Sequence, residues 1–307
     1  MDSTVQRSML ILPVHVKRFV EKAYLRGADA VVLDLEDSVP AAQKEEARGF
    51  VQEAVVLAGR GGADVLVRVN NDPSLLEHDL AAAIWPGVHA VFVPKVESAK
   101  DVANVEGIIE NLEKNRNMPL GAIRLSLHVE SPVGILNIRE IAYASERTES
   151  MSLGVDDYCL EMGLEQTGDG SELFLPLSLI VMACRARKIL PMGLLASVAE
   201  YSDLTAFERA ARRGRELGTS GALCIHPDQV TVLNRVFSPT EAEVDHARRV
   251  VRVFEEGVEA GRAAVSLNGR MVDTPIYKRA RALLDHADAI AAKEQQKAKA
   301  LALLEVS

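Results

Sequence analysis

The segment VVLDLEDSV (residues 31–39) joins the apolar run of a buried strand to three acids, Asp34, Glu36 and Asp37. Negative charge massed at the end of a strand is unfavourable unless something offsets it. The segment therefore predicts a strand whose carboxyl end meets a positive partner. The candidates are a neighbouring Arg or Lys, a metal ion, or only water.

Short apolar runs of the same kind recur along the chain, and amphipathic helical stretches separate them. The eight predicted strands are residues 8–12, 30–35, 64–69, 89–93, 123–130, 150–155, 189–195 and 222–226. Strands that alternate with helices form parallel sheets, and eight such units fit a (β/α)8 TIM barrel of the α/β class. An open doubly wound sheet is the alternative, but no GxGxxG motif follows the first strand.

The alternation stops near Phe237, which predicts a barrel domain over residues 1–236 and a C-terminal helical extension over residues 237–307. The content of 48% hydrophobic and 26% charged residues is typical of a globular protein. A net charge of −9 argues against nucleic acid and an anionic membrane surface as partners. We expect no signal peptide and no membrane span. Three widely spaced cysteines without a CxxC favour the cytoplasm.

The carboxyl ends of barrel strands usually carry the reacting groups, and here several of them carry acids. Glu130 ends the fifth predicted strand, and Asp157 follows the sixth. Oxygen ligands favour Mg2+ or Mn2+ over zinc, and Mg2+ commonly takes one or two protein carboxylates. Glu130 and Asp157 are therefore the predicted metal ligands. The alternative is that these acids only pair with Arg and Lys at the barrel mouth.

Arg68 directly follows the apolar run DVLV inside the third predicted strand. A guanidinium at a barrel mouth can hold a substrate carboxylate at two points and stabilise a developing oxyanion. The alternative is a structural ion pair with Asp34 or Glu36. Lys44 and Arg48 lie four residues apart on the second predicted helix, where a solvated face is the simpler interpretation.

Motifs along the whole chain resemble the citrate lyase β-subunit and malyl-CoA lyase family of the HpcH/HpaI aldolase superfamily, in order and in spacing. The extension resembles citrate lyase β chains in particular. The motifs are RSMLILP (7–13), GADAVVLDLEDSVPAAQKEEAR (27–48), VRVN (67–70), VPKVES (93–98), VESPVGI (129–135), LGVDDY (153–158), PTEAEVDHARRVV (239–251) and SLNGRMVDTPIYKRARALL (266–284).

The resemblance implies roles for individual residues. It implies that Glu130 and Asp157 bind the metal, with Glu130 also at the substrate, and that Arg68 binds the substrate. It further implies that Arg7 lies near the reacting group. Asp273 matches an acid that the extension presents to the active site of a neighbouring subunit.

The same resemblance implies a Mg2+-dependent carbon–carbon lyase. The expected substrate is a citryl, citramalyl or malyl thioester of CoA or of an acyl-carrier protein, which is cleaved into a keto acid and an acetyl thioester. The expected assembly is a homo-oligomer, a trimer or hexamer, with citrate lyase α and carrier subunits as further candidate partners. The alternatives are a malyl-CoA-type thioester hydrolase, and a β subunit that acts only on an acyl-carrier protein within a complex.

Around the expected metal, Asp34, Glu36 and Asp37 would hold water molecules or an arginine in place. The sequence departs from the family pattern at two positions. Val14 and His15 follow Pro13, where the family usually has glycine. His128 stands before the glutamate motif, where we expect a small apolar residue.

Overall fold

Eight parallel strands form the centre of the computed structural model, which describes residues 4–305. They pair in the order β7-β6-β5-β4-β3-β2-β1-β8, and a parallel bridge between Met192 and Gly221 joins the two ends. The predicted (β/α)8 barrel is confirmed, with the ends of several strands shifted by a few residues. The strands are β1 Ser8–Pro13, β2 Ala30–Asp34, β3 Asp64–Arg68, β4 Ala90–Val93, β5 Arg124–Val129, β6 Thr148–Leu153, β7 Leu190–Met192 and β8 Ala222–Cys224.

Helices connect the strands, and several of them begin at a residue whose side chain caps the helix. Ser98 and Asp101 form a capping box at the start of α4, for example. Within the described residues, no helix is long and apolar enough to cross a membrane. The helices of this part of the chain are α1 Lys17–Ala23, α2 Lys44–Gly59, α3 Leu76–Ala83, α4 Ala99–Asn115, α5 Pro132–Leu136, α6 Ile138–Tyr143, α7 Val155–Met162, α8 Phe174–Arg187, α9 Leu204–Leu217 and α10 Pro227–Val236.

The barrel strands have an outer and an inner set of side chains, because successive side chains of a strand point to opposite faces. The outer layer packs against the helices and includes Val31 and Leu33 of β2. The inner layer fills the barrel and includes Val32 of β2, Leu66 of β3 and Phe92 of β4. The inward positions of β5 and β6 are instead polar: Ser126, His128, Ser150 and Ser152 are all buried. These two strands therefore give the barrel interior a polar wall.

Residues 4–5 and Ser238–Lys299 form a second compact unit, apart from the barrel unit of Gln6–Phe237 and residues 300–305. It contains α11 Glu241–Glu259, a hairpin of β9 Val265–Leu267 and β10 Arg270–Val272, and α12 Thr274–Glu305 as far as Lys299. The hairpin turns at Asn268 and Gly269, whose φ angles of 51° and 75° suit a two-residue turn. Its core packs α11, the hairpin and α12 around Phe254 and Val272.

Candidate active site

The acids that follow β2 are held by one arginine. Arg68 is the last residue of β3, and its Nε and Nη2 donate hydrogen bonds of 2.6 and 2.7 Å to the two carboxylate oxygens of Asp34. Its Nη1 lies 3.0 Å from Glu36 Oε2 and 3.4 Å from Asp37 Oδ2. These contacts raise the pKa of Arg68 against the effect of its own burial. Arg68 is thus a permanent cation with a fixed orientation.

Lys95, directly after β4, is a second cation in this group, and sequence reasoning gave it no role. Its Nζ donates a hydrogen bond of 2.6 Å to Glu36 Oε1. Its backbone is in the left-handed region with φ 52°, and its N–H donates a hydrogen bond of 3.0 Å to Glu130 Oε1. Lys95 therefore connects the acid loop after β2 with the glutamate after β5. No spacing rule could have predicted this, because the contact depends on how two loops fold over the barrel mouth.

Lys44 also reaches the acid loop, although the sequence favoured a solvated face for it. Its Nζ donates hydrogen bonds to the carbonyl oxygens of Leu35 and Glu36 at 3.0 and 2.9 Å, and to Asn70 Oδ1 at 2.7 Å. Arg48 is likewise engaged, with its Nε 2.6 Å from Asp79 Oδ1. The first turns of α2 thus anchor the backbone of the acid loop.

Glu130 and Asp157 come together at the ends of β5 and β6. Glu130 is 5% exposed, whereas Asp157, in the first turn of α7, is partly accessible. Burial raises the pKa of Glu130 to about 9, and a hydrogen bond with Asp157 and the charges of Asp157 and Glu36 act in the same direction. The raised pKa of Glu130 thus comes from its burial beside other carboxyl groups.

Gly154, between β6 and α7, makes the space that Glu130 occupies. A Cβ at this position would lie 2.6 Å from Glu130 Cγ, 2.7 Å from Glu130 Oε2 and 2.8 Å from His128 Nε2. Its φ of −85° is open to any residue, so glycine is required here for space. Gly154 is also the N-cap of α7, where no side chain caps the helix. The first N–H groups of α7 are therefore left for a ligand to bind.

His128 lies one layer deeper than Glu130 on β5. Its Nδ1 is 2.5 Å from Ser152 Oγ, and its ring packs against Phe92 at a centroid distance of 5.1 Å. Burial, together with the positive charge of Arg68, lowers the pKa of His128 to about 3. The imidazole is therefore uncharged at neutral pH.

These groups line a cavity of about 280 Å3 at the carboxyl ends of the strands. Its polar lining residues include Asp37, Arg68, His128, Glu130 and Asp157. Its apolar lining residues include Ile11, Leu194, Val198, Leu223 and Ile225. Its volume suits a small acid and the reacting end of a larger molecule.

The charges around this cavity fit a divalent cation. Five carboxylates face two cations, Arg68 and Lys95; they are Asp34, Glu36, Asp37, Glu130 and Asp157. Among residues 4–305, no three His, Cys, Asp or Glu side chains form a metal-binding group. A pair of carboxylates with space beside it suits Mg2+, which keeps several water or substrate ligands. Zinc would need three or four protein ligands.

Arg7 is not part of this group. It directly precedes β1, and its Nε and Nη2 donate hydrogen bonds of 2.7 and 2.8 Å to the two carboxylate oxygens of Asp29, which directly precedes β2. Arg7 is 3% exposed and Asp29 is 0% exposed. Because parallel strands share one direction, both residues lie at the amino ends of the strands, opposite the mouth. The expectation that Arg7 lies near the reacting group is corrected: Arg7 ties β1 to β2 at the base of the barrel.

Asp273 lies in the C-terminal unit, between β10 and α12, and is half-buried. Its Oδ1 accepts a hydrogen bond of 3.3 Å from the backbone N–H of Ile276. Within its own unit Asp273 therefore caps α12.

A sequence profile of the family described as HpcH/HpaI aldolase/citrate lyase matches residues 7–227. The chain belongs to this family. The citrate lyase subunit beta of Escherichia coli K12 is 36% identical to it, over 94% of this chain and 96% of that protein. The L-malyl-CoA/beta-methylmalyl-CoA lyase of Cereibacter sphaeroides is 32% identical, over 93% and 96%. The predicted family and the predicted enzyme class, a lyase, are confirmed.

Solved structures agree with this assignment. The CitE protein of Mycobacterium tuberculosis, in complex with magnesium, acetoacetate and coenzyme A, superposes with a TM-score of 0.72 at 27% identity, over 94% of this chain and all of that one (100%). A citrate lyase from Burkholderia xenovorans superposes with a TM-score of 0.80 over 95% of this chain and 93% of that one. At 19% identity, the second match supports the fold alone.

Proposed function

We propose that this protein is a Mg2+-dependent carbon–carbon lyase that cleaves a 3-hydroxyacyl thioester into a 2-oxo acid and an acetyl thioester. The candidate substrates are citryl, citramalyl and malyl thioesters, carried on CoA or on an acyl-carrier protein. One observation carries the proposal: a single cavity joins the carboxylate pair of Glu130 and Asp157 to the fixed guanidinium of Arg68. Retro-Claisen cleavage needs both groups, because negative charge moves from the substrate hydroxyl oxygen to the thioester oxygen as the carbon–carbon bond breaks.

Glu130 and Asp157 would hold the Mg2+, and Mn2+ is a plausible substitute because it takes the same oxygen ligands. Bound there, the ion supplies Lewis acidity that makes the substrate hydroxyl easier to deprotonate. The Asp34, Glu36 and Asp37 carboxylates keep Arg68 in place. Arg68 then stabilises the oxygen charge that develops on the thioester side as the carbon–carbon bond opens.

The proton balance involves two groups of the substrate. The hydroxyl loses its proton, the bond to the neighbouring methylene carbon breaks, and that carbon must gain a proton to give the acetyl group. Asp273 from the C-terminal unit of a neighbouring subunit is the proposed residue for this proton transfer. The N-terminus of α7, left uncapped at Gly154, would bind the carboxylate of the 2-oxo acid.

This assignment implies a homo-oligomer, a trimer or a hexamer, in which each active site contains residues of two chains. Citrate lyase α and carrier subunits are the candidate partners if the substrate is held on an acyl-carrier protein. A cytoplasmic location fits Cys159, Cys184 and Cys224, which are buried and free of disulfides.

The test is to identify the products. Purified protein with Mg2+ is incubated with citryl-, citramalyl- and malyl-CoA, and the products are separated by chromatography. We expect a 2-oxo acid and acetyl-CoA in equal amounts. Free CoA with an intact hydroxy acid would identify a thioester hydrolase instead. Activity on the carrier-protein thioesters alone would identify a β subunit that works only with its carrier.

A further inference from the structure

The ring of His128 is held rigidly inside the barrel, beside the proposed metal ligand. Ser152 Oγ contacts its Nδ1 at 2.5 Å, and the Phe92 ring packs against its face. The side chain is 7% exposed and lines the cavity. His128 therefore has one fixed orientation, with its second nitrogen toward the cavity.

Across the described residues 4–305, the hydrogen bond of the His128 ring is at Nδ1, and its second nitrogen, Nε2, makes none. It lies 3.9 Å from Glu130 Oε2, which is longer than a hydrogen bond. The backbone of Gly154 passes close to both atoms, since a Cβ there would lie 2.8 Å from Nε2 and 2.7 Å from Oε2. His128, Gly154 and Val155 all line the cavity, so an oxygen atom of a ligand in the cavity can approach both Nε2 and the N-terminus of α7.

The hydrogen bond at Nδ1 decides which nitrogen carries the proton. If Nδ1 donated to Ser152 Oγ, the hydroxyl would have to donate elsewhere, and the carbonyl oxygen of Leu127 is 3.5 Å away. If the hydroxyl donates to Nδ1, Nε2 carries the hydrogen and points it toward Glu130 and the cavity. The second arrangement gives the hydroxyl hydrogen the nearer acceptor, because Ser152 Oγ lies 2.5 Å from Nδ1 and 3.5 Å from the Leu127 carbonyl oxygen.

We propose that His128 is a substrate-binding residue, whose Nε2–H donates a hydrogen bond to a carboxylate oxygen of the 2-oxo acid. This rests on the proposed function, and it adds a donor to the α7 N-terminus on the same side of that carboxylate. The carboxylate is the group that fits, because Nε2–H and the uncapped N–H groups of α7 are hydrogen-bond donors beside one cavity, and much of the remaining lining is apolar.

The experiment uses the full chain and two variants that separate the two ring nitrogens. In His128→Asn, the amide group lies near the Nδ1 position, where it can still hydrogen-bond to Ser152, but nothing replaces Nε2. In His128→Gln, the longer side chain places an amide N–H near the Nε2 position. Ser126→Ala is the matched control, because Ser126 is on the same face of β5 one layer deeper, bonded to Ser150 at 2.8 Å and away from the cavity. Calorimetry measures Mg2+ binding first, and then binding of glyoxylate, pyruvate and oxaloacetate with saturating Mg2+.

We expect His128→Asn to bind each 2-oxo acid about tenfold or more weakly, because a hydrogen bond to a charged group is lost. His128→Gln should lose less, and Mg2+ affinity should stay within about twofold for all variants. Unchanged 2-oxo acid affinity in His128→Asn would overturn this inference and leave the proposed function standing. An equal loss of Mg2+ affinity in both His128 variants would also overturn it, since His128 would then act by positioning Glu130. Wild-type protein that binds no 2-oxo acid would overturn the proposed function as well.

Discussion

Arg68 is the positive partner that the acids of VVLDLEDSV require. It binds Asp34 at two points and lies against Glu36 and Asp37. The sequence left an ion pair and a substrate-binding role open; the structure shows the ion pair, and the substrate-binding role stays a proposal. The carboxylates bind most of the N–H groups of Arg68 and hold its guanidinium in one orientation. A substrate oxygen could therefore approach Arg68 from one direction only.

Arg68→Lys tests that geometry. Lysine keeps the charge but loses the planar two-point contact with Asp34, so we expect kcat to fall by about two orders of magnitude or more. Arg124→Lys, at the amino end of β5, is the matched control and should leave kcat near the wild-type value. Steady-state kinetics with the preferred thioester measure both. Near-normal kinetics for Arg68→Lys would leave Arg68 with a structural role only.

Glu130 predicts how the stability of the metal-free protein depends on pH. Its pKa is about 9 in the folded protein and about 4.5 in the unfolded chain. The folded state therefore holds this proton more tightly, and its stabilising effect is lost as the pH rises from about 4.5 to 9. Glu130→Gln cannot ionise, so at pH 8 with EDTA we expect it to exceed wild type by at least about 1 kcal/mol in free energy of unfolding. Urea titrations at pH 5 and pH 8 measure this, and a difference that does not grow with pH would contradict it.

At the scale of elements, β5 and β6 carry the buried polar side chains of the barrel interior. Their inward side chains are polar in successive layers, from Ser126 and Ser150 up to His128 and Ser152 and then Glu130. The apolar runs predicted the positions of the strands, and the acids at the strand ends were predicted as candidate site residues. The sequence could also have indicated His128 and Ser152, because alternate residues of a strand share one face. His128 lies two residues before Glu130, and Ser152 lies two residues before Gly154.

Gly154→Ala tests how the β6–α7 junction positions Glu130. The added Cβ would collide with the Glu130 side chain, so Glu130 must leave its present position beside Asp157. We expect Mg2+ affinity to fall about tenfold or more with little loss of secondary structure. Gly107→Ala in α4 is the matched control, because nothing lies within 4 Å of its added Cβ. Calorimetry and circular dichroism measure the two effects, and unchanged Mg2+ binding in Gly154→Ala would contradict the account.

At the scale of the whole molecule, the order of strands was predictable but some long-range positions were not. The alternation of apolar strands and amphipathic helices predicts a (β/α)8 barrel, because each strand–helix unit is formed by residues close together in the sequence. Arg7 matched a family motif, yet a residue before a parallel strand lies at the base of the barrel, and that geometry places it with Asp29. The contact of Lys95 with Glu36 spans 59 residues and depends on loop packing. Such contacts lie beyond what spacing can predict.

Asp273 carries the prediction that active sites are shared between chains. In its own unit it caps α12, which is worth about 1 kcal/mol of stability. If it also serves a neighbouring subunit, Asp273→Ala and Glu130→Gln should each be inactive. Mixing the two inactive proteins under exchange conditions should restore part of the activity, because some sites then contain both intact groups. Should Asp273→Ala retain normal kinetics and lose only stability, its role is the helix cap.

The central claim is that Glu130 and Asp157 hold the ion on which cleavage depends. Release of the 2-oxo acid is measured for wild type, Asp157→Asn and Asp156→Asn, each with Mg2+ and with EDTA. Asp156 is the matched control, because its carboxylate oxygens accept hydrogen bonds of 2.8 Å from Gln166 and from Ser197. We predict activity that EDTA abolishes in wild type, a loss of about tenfold or more in Mg2+ affinity for Asp157→Asn, and Mg2+ affinity near wild type for Asp156→Asn. Full turnover of the wild type in EDTA would contradict the claim.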